Sequence, residues 1–512
     1  MNKPEKIEPS DTDTLTAKSK SAWSISFGSD VMKLLGGTTI AQGLIILSAP
    51  ILARLYDPTA FGVLSVFTST IAIVTVICCL RYEWAIVIAD SNEEAWNLVI
   101  VCIVISTAIA AATIPIVALG GTGLGDILNV PELGTILWLL PPATFFGGIA
   151  LGHPALNFWT IRTRNFGWLS FARIVGGVLT VGLQLIVGLV GFATGGNLVL
   201  ASVFGGGIAS TVVLGWEIWK HGGKHNMQWA RWEQISRVLR RYYKFPLFDS
   251  WGALMNIVSW QLPTLLLASF FSPAVAGFYA IGFTLLRLPM SLIDASFSQV
   301  FYHRAAEARM QDKLAPLVEV TFSYLVKLCL FPLLMLSIIG RDLIMVVLGK
   351  QWAEAGVYAQ ILSVWAFFWF IFSPLSNLFR VLEKQEFGVV MNIVIIVTRA
   401  ISLVIGGLMG SPRLALYLFG GSGVLVYGYM LIAIMTMSGA PLVRQLKIIL
   451  GNALVFLPCG AVLLLMLLLG VKALILVGVS IVMLAGYFAF SIGHDPKARD
   501  FVSEVWRSRA KQ

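Results

Sequence analysis

About fourteen apolar stretches, each long enough to cross a bilayer and separated by short loops, occupy the chain from about Val31 to Ile492. A helix traversing about 30 Å of hydrocarbon needs about 20 apolar residues. Backbone amides in lipid must be satisfied within the segment, so segments of this kind are read as helices. The fold class expected is therefore an all-α integral membrane protein. Of the 512 residues, 57% are hydrophobic and 12% charged, against about 25% charged in a soluble domain, and the mean hydropathy is +0.84.

The net charge of +10 would suit a polyanion if it were gathered on one face. Its Lys and Arg are instead spread over many membrane-flanking loops, which excludes nucleic acid as the expected partner. The five cysteines, Cys78, Cys79, Cys102, Cys329 and Cys459, fall in apolar segments without metal-ligand spacing or a neighbouring His. They are read as packing residues, and no metal or other cofactor is expected. Residues 1–30 mix Lys, Glu, Asp, Ser and Thr and lack the apolar core of a cleaved signal; they are read as a polar cytoplasmic tail.

The spanning ruler places six helices at 32–54, 60–80, 95–118, 136–158, 167–190 and 197–218. Eight more follow at 246–269, 276–301, 317–339, 355–378, 388–408, 413–436, 446–469 and 472–492. The expected organisation is a first lobe over 31–218, a basic loop over 219–245, a second lobe over 246–436, two further helices over 437–492 and a tail over 493–512. With both ends cytoplasmic, the inner segments hold 27 of the 36 Lys and Arg. The outer ones hold five, Arg54, Arg341, Lys350, Arg413 and Lys472, and four lie within spans. That bias follows the positive-inside rule and implies an even number of crossings in a cytoplasmic membrane. The long basic loop holds Trp229 and Trp232, and its segment Trp229 to Tyr243 could form a basic amphipathic helix suited to an anionic leaflet, with an orientation anchor between two halves as the preferred reading. No P-loop and no paired-His metal motif is present.

The ends of spans one and seven match at a constant offset of 215 residues: Gly37 with Gly252, Leu52 with Leu267, Ala53 with Ala268, Pro58 with Pro273 and Gly62 with Gly277. Six spans separate the copies, so both have the same orientation. Such parallel repeats are related by a pseudo-two-fold axis along the membrane normal, with a substrate site at their interface.

The stretch Leu52 to Gly62 (LARLYDPTAFG), the following Arg81-Tyr82-Glu83, the segment Pro289 to Phe301 (PMSLIDASFSQVF) and Leu348 to Gly356 (LGKQWAEAG) together resemble bacterial polysaccharide-biosynthesis exporters. These are the oligosaccharide-lipid flippases within the multidrug and oligosaccharidyl-lipid exporter superfamily. The resemblance implies two six-helix bundles in a V around a central cavity lined by helices one, two, seven and eight, plus two C-terminal helices. It implies that the chain turns a polyprenyl-pyrophosphate-linked oligosaccharide across the cytoplasmic (inner) membrane by alternating access, for surface polysaccharide synthesis. Membrane lipids are further partners, and a polysaccharide polymerase and a chain-length regulator are candidates. Coupling to a proton or a sodium gradient stays open.

A doubly charged pyrophosphate crossing a bilayer needs cations at depth, and each such cation costs at least about 2.5 kcal/mol by insertion scales unless it faces a cavity or a partner. Arg287, mid-way along span eight, is the leading substrate-binding candidate, because a guanidinium holds phosphate oxygens bidentately. Its alternative is a salt bridge with Asp294, two turns on. Arg399 in span eleven serves either substrate or an interhelical hydrogen-bond anchor. Lys327 binds substrate, snorkels or pairs with Glu319. Arg173 contacts substrate or snorkels to headgroups. Asp294 and Asp249 are the ion-coupling candidates, Asp249 with a structural alternative of pairing with Arg240, Arg241 or Lys244. Glu83 and Arg81 are read as an interface or gating pair. Pro141, Pro142, Pro263, Pro289 and Pro374 are expected to break helix hydrogen bonds mid-membrane.

Three other functions compete. A multidrug cation exporter of the same superfamily would be expected to favour acidic cavity residues, which spans one to six lack except at their ends. A membrane-bound polymerase or ligase would need a sizeable outer loop with catalytic Arg or His, and the outer loops are short. A non-transporting scaffold leaves the buried charges without use. A transporter, not an enzyme, is expected.

Overall fold

The computed structural model describes residues 37–148, 152–223, 228, 231–291 and 294–494. Helix dominates, and no strand occurs among the described residues. Twelve helices there are long and apolar enough to cross a membrane, and two shorter apolar helices, Leu133–Phe145 and Pro273–Leu288, stand at the places of expected spans four and eight. The protein is thus an all-helical, multi-pass membrane protein.

In chain order the first helices are α1 (Gly37–Leu55), α2 (Pro58–Thr75), the short α3 (Tyr82–Ile88), α4 (Asn92–Ile127), α5 (Leu133–Phe145), α6 (Pro154–Arg162), α7 (Phe166–Leu189), α8 (Gly195–His221) and α9 (Trp232–Arg241). Then follow α10 (Phe245–Phe270), α11 (Pro273–Ser291), α12 (Asp294–Met310), α13 (Leu314–Leu348), α14 (Lys350–Val381), α15 (Gln385–Leu408), α16 (Pro412–Ser438), α17 (Leu442–Leu468) and α18 (Ala473–His494).

Span four departs from its expected form. Instead of one helix over 136–158 the chain forms α5 and α6 with a break between them, where Gly147, Gly148 and Gly152 take φ of 78°, 95° and 73°. That left-handed region is cheap only for glycine. At Gly152 a Cβ would meet the Thr211 backbone nitrogen at 2.8 Å. The break is sealed by His153, which caps α6: the Ala155 N–H donates to its Nδ1 at 3.2 Å, and its own N–H donates to Thr211 Oγ1 at 2.8 Å. With Nδ1 accepting, Nε2 carries the proton and faces Ser106 Oγ at 2.8 Å. One buried histidine therefore ties α4, α6 and α8 together, the first two through its ring and the third through its backbone N–H.

The chain forms two compact units. The first holds the described residues up to Leu52 with Thr70–Thr122 and Leu133–Ile257; the second holds Ala53–Ser69, Gly123–Glu132 and the described residues from Val258 on. In the first, α3, α4, α6 and α9 share a core of Tyr82, Ile86, Trp96, Val99, Trp159 and Val238. The Trp96 and Trp159 rings meet edge to face at 4.9 Å. The basic segment seen in the sequence is helical over Trp232–Arg241, with Trp229 outside the described residues. Its apolar face, Ile235, Val238 and Leu239, packs on this core, and Arg241 pairs with Asp90 at 2.6 Å and Glu94 at 3.0 Å.

In the second unit, α13 and α14 form the centre of a core that includes Phe322, Leu325, Trp365, Phe370 and Phe419. The last two helices pack on α13 through Phe331, which stacks on Tyr487 with ring centroids 4.3 Å apart and meets Phe456 at 5.1 Å. Pro115, Pro263, Pro332, Pro374 and Pro458 all lie inside continuous helices. Pro141 and Pro142 instead occupy the first turn of a short helical segment, where a missing N–H costs nothing.

Candidate functional site

The first polar cluster belongs to the first unit. Between α2 and α4 the chain reverses through Leu80 and Arg81, both left-handed at φ 47° and 65°, and this tight turn aims the Arg81 side chain at the start of α10. There its Nε donates to Asp249 Oδ2 at 2.7 Å, and its Nη1 stands 3.7 Å from Glu83 Oε1. The guanidinium also lies over Trp84 at 5.1 Å. The expected partners of Asp249, Arg240, Arg241 or Lys244, are thus replaced by Arg81; Arg241 is already held by Asp90 and Glu94. Arg81, Trp84, Lys244, Phe245, Phe248 and Asp249 line an open cleft of about 510 Å³. Two cations, one carboxylate and three aromatic rings make it suited to an anionic or sugar-bearing group.

The two members of this pair and their neighbour differ in exposure. The Asp249 side chain is 51% exposed and that of Arg81 20%, whereas that of Glu83 is 8% exposed. Burial pushes the Glu83 carboxyl up to about 7, and the guanidinium beside it offsets only part of that shift. Its Oε2 has no hydrogen-bond partner among the described residues. Arg173 on α7, half-buried, donates from Nη1 to Thr38 Oγ1 at 2.6 Å.

The second cluster lies within the second unit. Arg399 on α15 is 3% exposed. It donates from Nη1 to the Ser259 carbonyl at 3.1 Å and Ser259 Oγ at 3.0 Å, and from Nη2 to Tyr427 Oη at 3.0 Å. Its guanidinium stacks over Trp260 at 4.5 Å, with Phe419 at 5.6 Å and Trp365 at 5.9 Å. Of its two sequence readings, these contacts favour the anchor: the charge joins α10, α15 and α16.

Arg287 on α11 differs in each respect. It is exposed, its guanidinium lies over Phe283 one turn earlier at 5.9 Å, and no acidic partner is found for it among the described residues. The side chain of Asp294, its alternative partner in the sequence, lies outside the described residues. Phe283 in turn stacks on Tyr279, Trp369 and Trp365, at 5.6, 5.8 and 6.2 Å. An aromatic slab thus connects the buried Arg399 to the exposed Arg287. It was not anticipated from the sequence, although Phe283 with Arg287 and Trp365 with Trp369 are each four residues apart on one helix face.

Lys327 is half-buried on α13 with its ammonium over Tyr324 at 6.0 Å, and its carbonyl accepts from Tyr487 Oη at 2.6 Å. Glu319, a sequence alternative for Lys327, pairs instead with Arg444 at 2.7 Å.

Several solved structures share this fold. The lipid II flippase MurJ in an inward-closed conformation superposes with a TM-score of 0.63 at 13% identity, over 94% of this chain and 99% of that one. An inward-facing multidrug resistance MATE family transporter of the MOP superfamily gives 0.59 at 13% identity, over 80% and 99%. At such identities the likeness speaks for the fold. No curated protein sequence matches. The family described as polysaccharide biosynthesis protein matches residues 51–357. Since that match spans more than half of its length, the chain belongs to the polysaccharide biosynthesis protein family.

Proposed function

We propose that the protein moves a polyprenyl-pyrophosphate-linked oligosaccharide across the bacterial inner membrane by alternating access, without making or breaking a covalent bond. The observation that carries this reading is the exposed guanidinium of Arg287 in an apolar helix, stacked on Phe283 and without an acidic partner among the described residues. A cation carried on such a helix needs water or an anionic ligand, and an arginine fork fits a pyrophosphate better than it fits an organic cation. Family membership supports a role in polysaccharide synthesis, and the fold, shared with a lipid II flippase and with MATE transporters, supports translocation as its form.

In this reading Arg287 holds the pyrophosphate, the aromatic slab behind it offers ring faces to sugars, and Arg399 keeps the slab in place. The Arg81–Asp249 pair serves as a latch at the mouth of the first unit. Both termini face the cytoplasm, and a proton or sodium gradient supplies the drive.

The test is reconstitution into liposomes with a fluorescent polyprenyl-pyrophosphate oligosaccharide, scoring its arrival at the opposite leaflet with and without imposed proton or sodium gradients. Arrival faster than in protein-free liposomes is expected. No acceleration, with gradient-driven efflux of an organic cation from the same vesicles, would replace this reading with that of a drug exporter.

A further inference from the structure

The turn that carries Arg81 also gathers two thiols and a carboxylate outside the substrate path proposed above. Cys79 Sγ, Cys102 Sγ and a carboxylate oxygen of Glu83 all lie within 4.8 Å of one another, and all three residues are buried. Cys79 sits on the turn after α2, Glu83 on α3 and Cys102 on α4, so the cluster joins three separate elements. Cys78 Sγ stands 3.8 Å from Cys79 Sγ at its edge.

Nothing else satisfies this cluster well. Glu83 is 6% exposed, and its Oε2 meets no donor among the described residues. The Cys79 thiol meets only the neighbouring Cys78 thiol, at 3.8 Å, and the Cys102 carbonyl, at 4.0 Å, among the described residues. Leaving a buried carboxylate oxygen unsatisfied is costly, and a cation would remove that cost.

The donor set also suits one class of ion. With Zn–S near 2.3 Å, tetrahedral geometry places two thiolate sulfurs about 3.8 Å apart, so ligand atoms within 4.8 Å need shifts below about an ångström. Two thiolates and a carboxylate around a dication carry a net charge of −1, facing the Arg81 guanidinium 3.7 Å from Glu83 Oε1. Soft thiolates select against magnesium and calcium.

We propose that Cys79, Cys102 and Glu83 form a binding site for a thiophilic dication of the zinc class, completed by Cys78 or a water. Binding replaces waters of the hydrated ion with two metal–sulfur bonds and one metal–oxygen bond, with a third metal–sulfur bond where Cys78 completes the site, and releases to solvent one proton from each ligating thiol and any proton carried by Glu83. The bound ion would clamp the Arg81 turn onto α4.

The full-length protein, purified through a tag without histidine and stripped with a chelator, is dialysed against Zn²⁺ and assayed for bound metal. About one ion per chain is expected, and Co²⁺ in its place should give the visible bands of a tetrahedral thiolate site. The double variant Cys79→Ser/Cys102→Ser should lose binding by at least about 100-fold, while Cys329→Ser/Cys459→Ser keeps it. Because the first variant removes packed side chains, the cobalt spectrum of the unaltered protein is the independent check. Folded protein that takes up no metal, or a cobalt spectrum without thiolate ligation, overturns the site.

Discussion

Gly62 and Gly277, which occupy equivalent places in the sequence repeat, pack against each other's helix starts within the second unit. A Cβ on Gly62 would run into the Pro273 carbonyl, and one on Gly277 would run into the Pro58 carbonyl while approaching the Gly62 nitrogen at 2.9 Å. The correspondence extends to the caps. Asp57 Oδ1 accepts from the Ala60 N–H at 2.7 Å, and Ser272 Oγ, 215 residues later, accepts from the Val275 N–H at 3.3 Å. Each cap precedes a proline at the first helical position, where the fixed φ favours the helix and the absent N–H is not needed. The repeat read from weak identities therefore has a physical basis at this end: two copies of one cap–proline–glycine turn closing on each other.

Because both neighbours at that contact are backbone, neither can move aside. Gly62→Ala and Gly277→Ala should each cost about 1–3 kcal/mol through overpacking, and the double variant should cost less than the sum, since one separation of α2 from α11 relieves both clashes. Gly252→Ala is the control, having nothing among the described residues within 4 Å of its Cβ position. Thermal unfolding in detergent separates these outcomes. Equal melting temperatures for all three variants would dismiss the close approach.

Arg399 lends itself to a double-mutant cycle. Tyr427→Phe removes one hydrogen bond to the guanidinium and should cost about 0.5–1.5 kcal/mol, in the range of interhelical hydrogen bonds measured in membranes. Arg399→Gln removes all three bonds and the cation–π contacts with Trp260 and Phe419, and should cost more. On an Arg399→Gln background, Tyr427→Phe should be nearly neutral. Additive losses would place Arg399 and Tyr427 in separate roles.

The spans were legible because every residue in a lipid-facing segment contributes to hydropathy. Span four was not, because a 20-residue window averages across Gly147–Gly152, whereas the chain responds to each φ. Pairings across helices were also hidden. Arg399 finds Ser259 at a separation of 140 residues and Arg81 finds Asp249 at 168, and composition or periodicity carries no information about which two faces meet. The stacking of Arg287 on Phe283 was accessible in principle, being a spacing of four on one helix.

The Arg81–Asp249 pair should affect transport more than stability. Asp249 is about half exposed, and exposed pairs contribute only about 0.2–1 kcal/mol. A shift of that size still changes the ratio of two conformations by up to about five-fold. Asp249→Arg is therefore expected to lower the transport rate with little change in melting temperature, and adding Arg81→Asp should restore part of it by reversing the pair. Failure of the swap in protein that folds normally would assign the loss to the individual side chains.

Arg287 offers the sharpest separation between substrate contact and structural support. Arg287 is exposed and, among the described residues, its guanidinium lies over the Phe283 ring, so Arg287→Ala forfeits a cation–π contact of about 0.5–1 kcal/mol and should leave the protein inserted and folded. If it holds pyrophosphate, one lost charge-assisted contact of about 1.5–3 kcal/mol lowers transport at limiting substrate by roughly 10- to 150-fold. Arg287→Lys returns the charge without the planar fork and should recover part of that loss, whereas Arg287→Gln should not. The discriminating measurement is the substrate-concentration dependence of lipid-linked oligosaccharide transport in proteoliposomes, alongside surface polysaccharide in cells at native expression. Normal transport by Arg287→Ala would remove this residue from the path and require the anion to be met elsewhere.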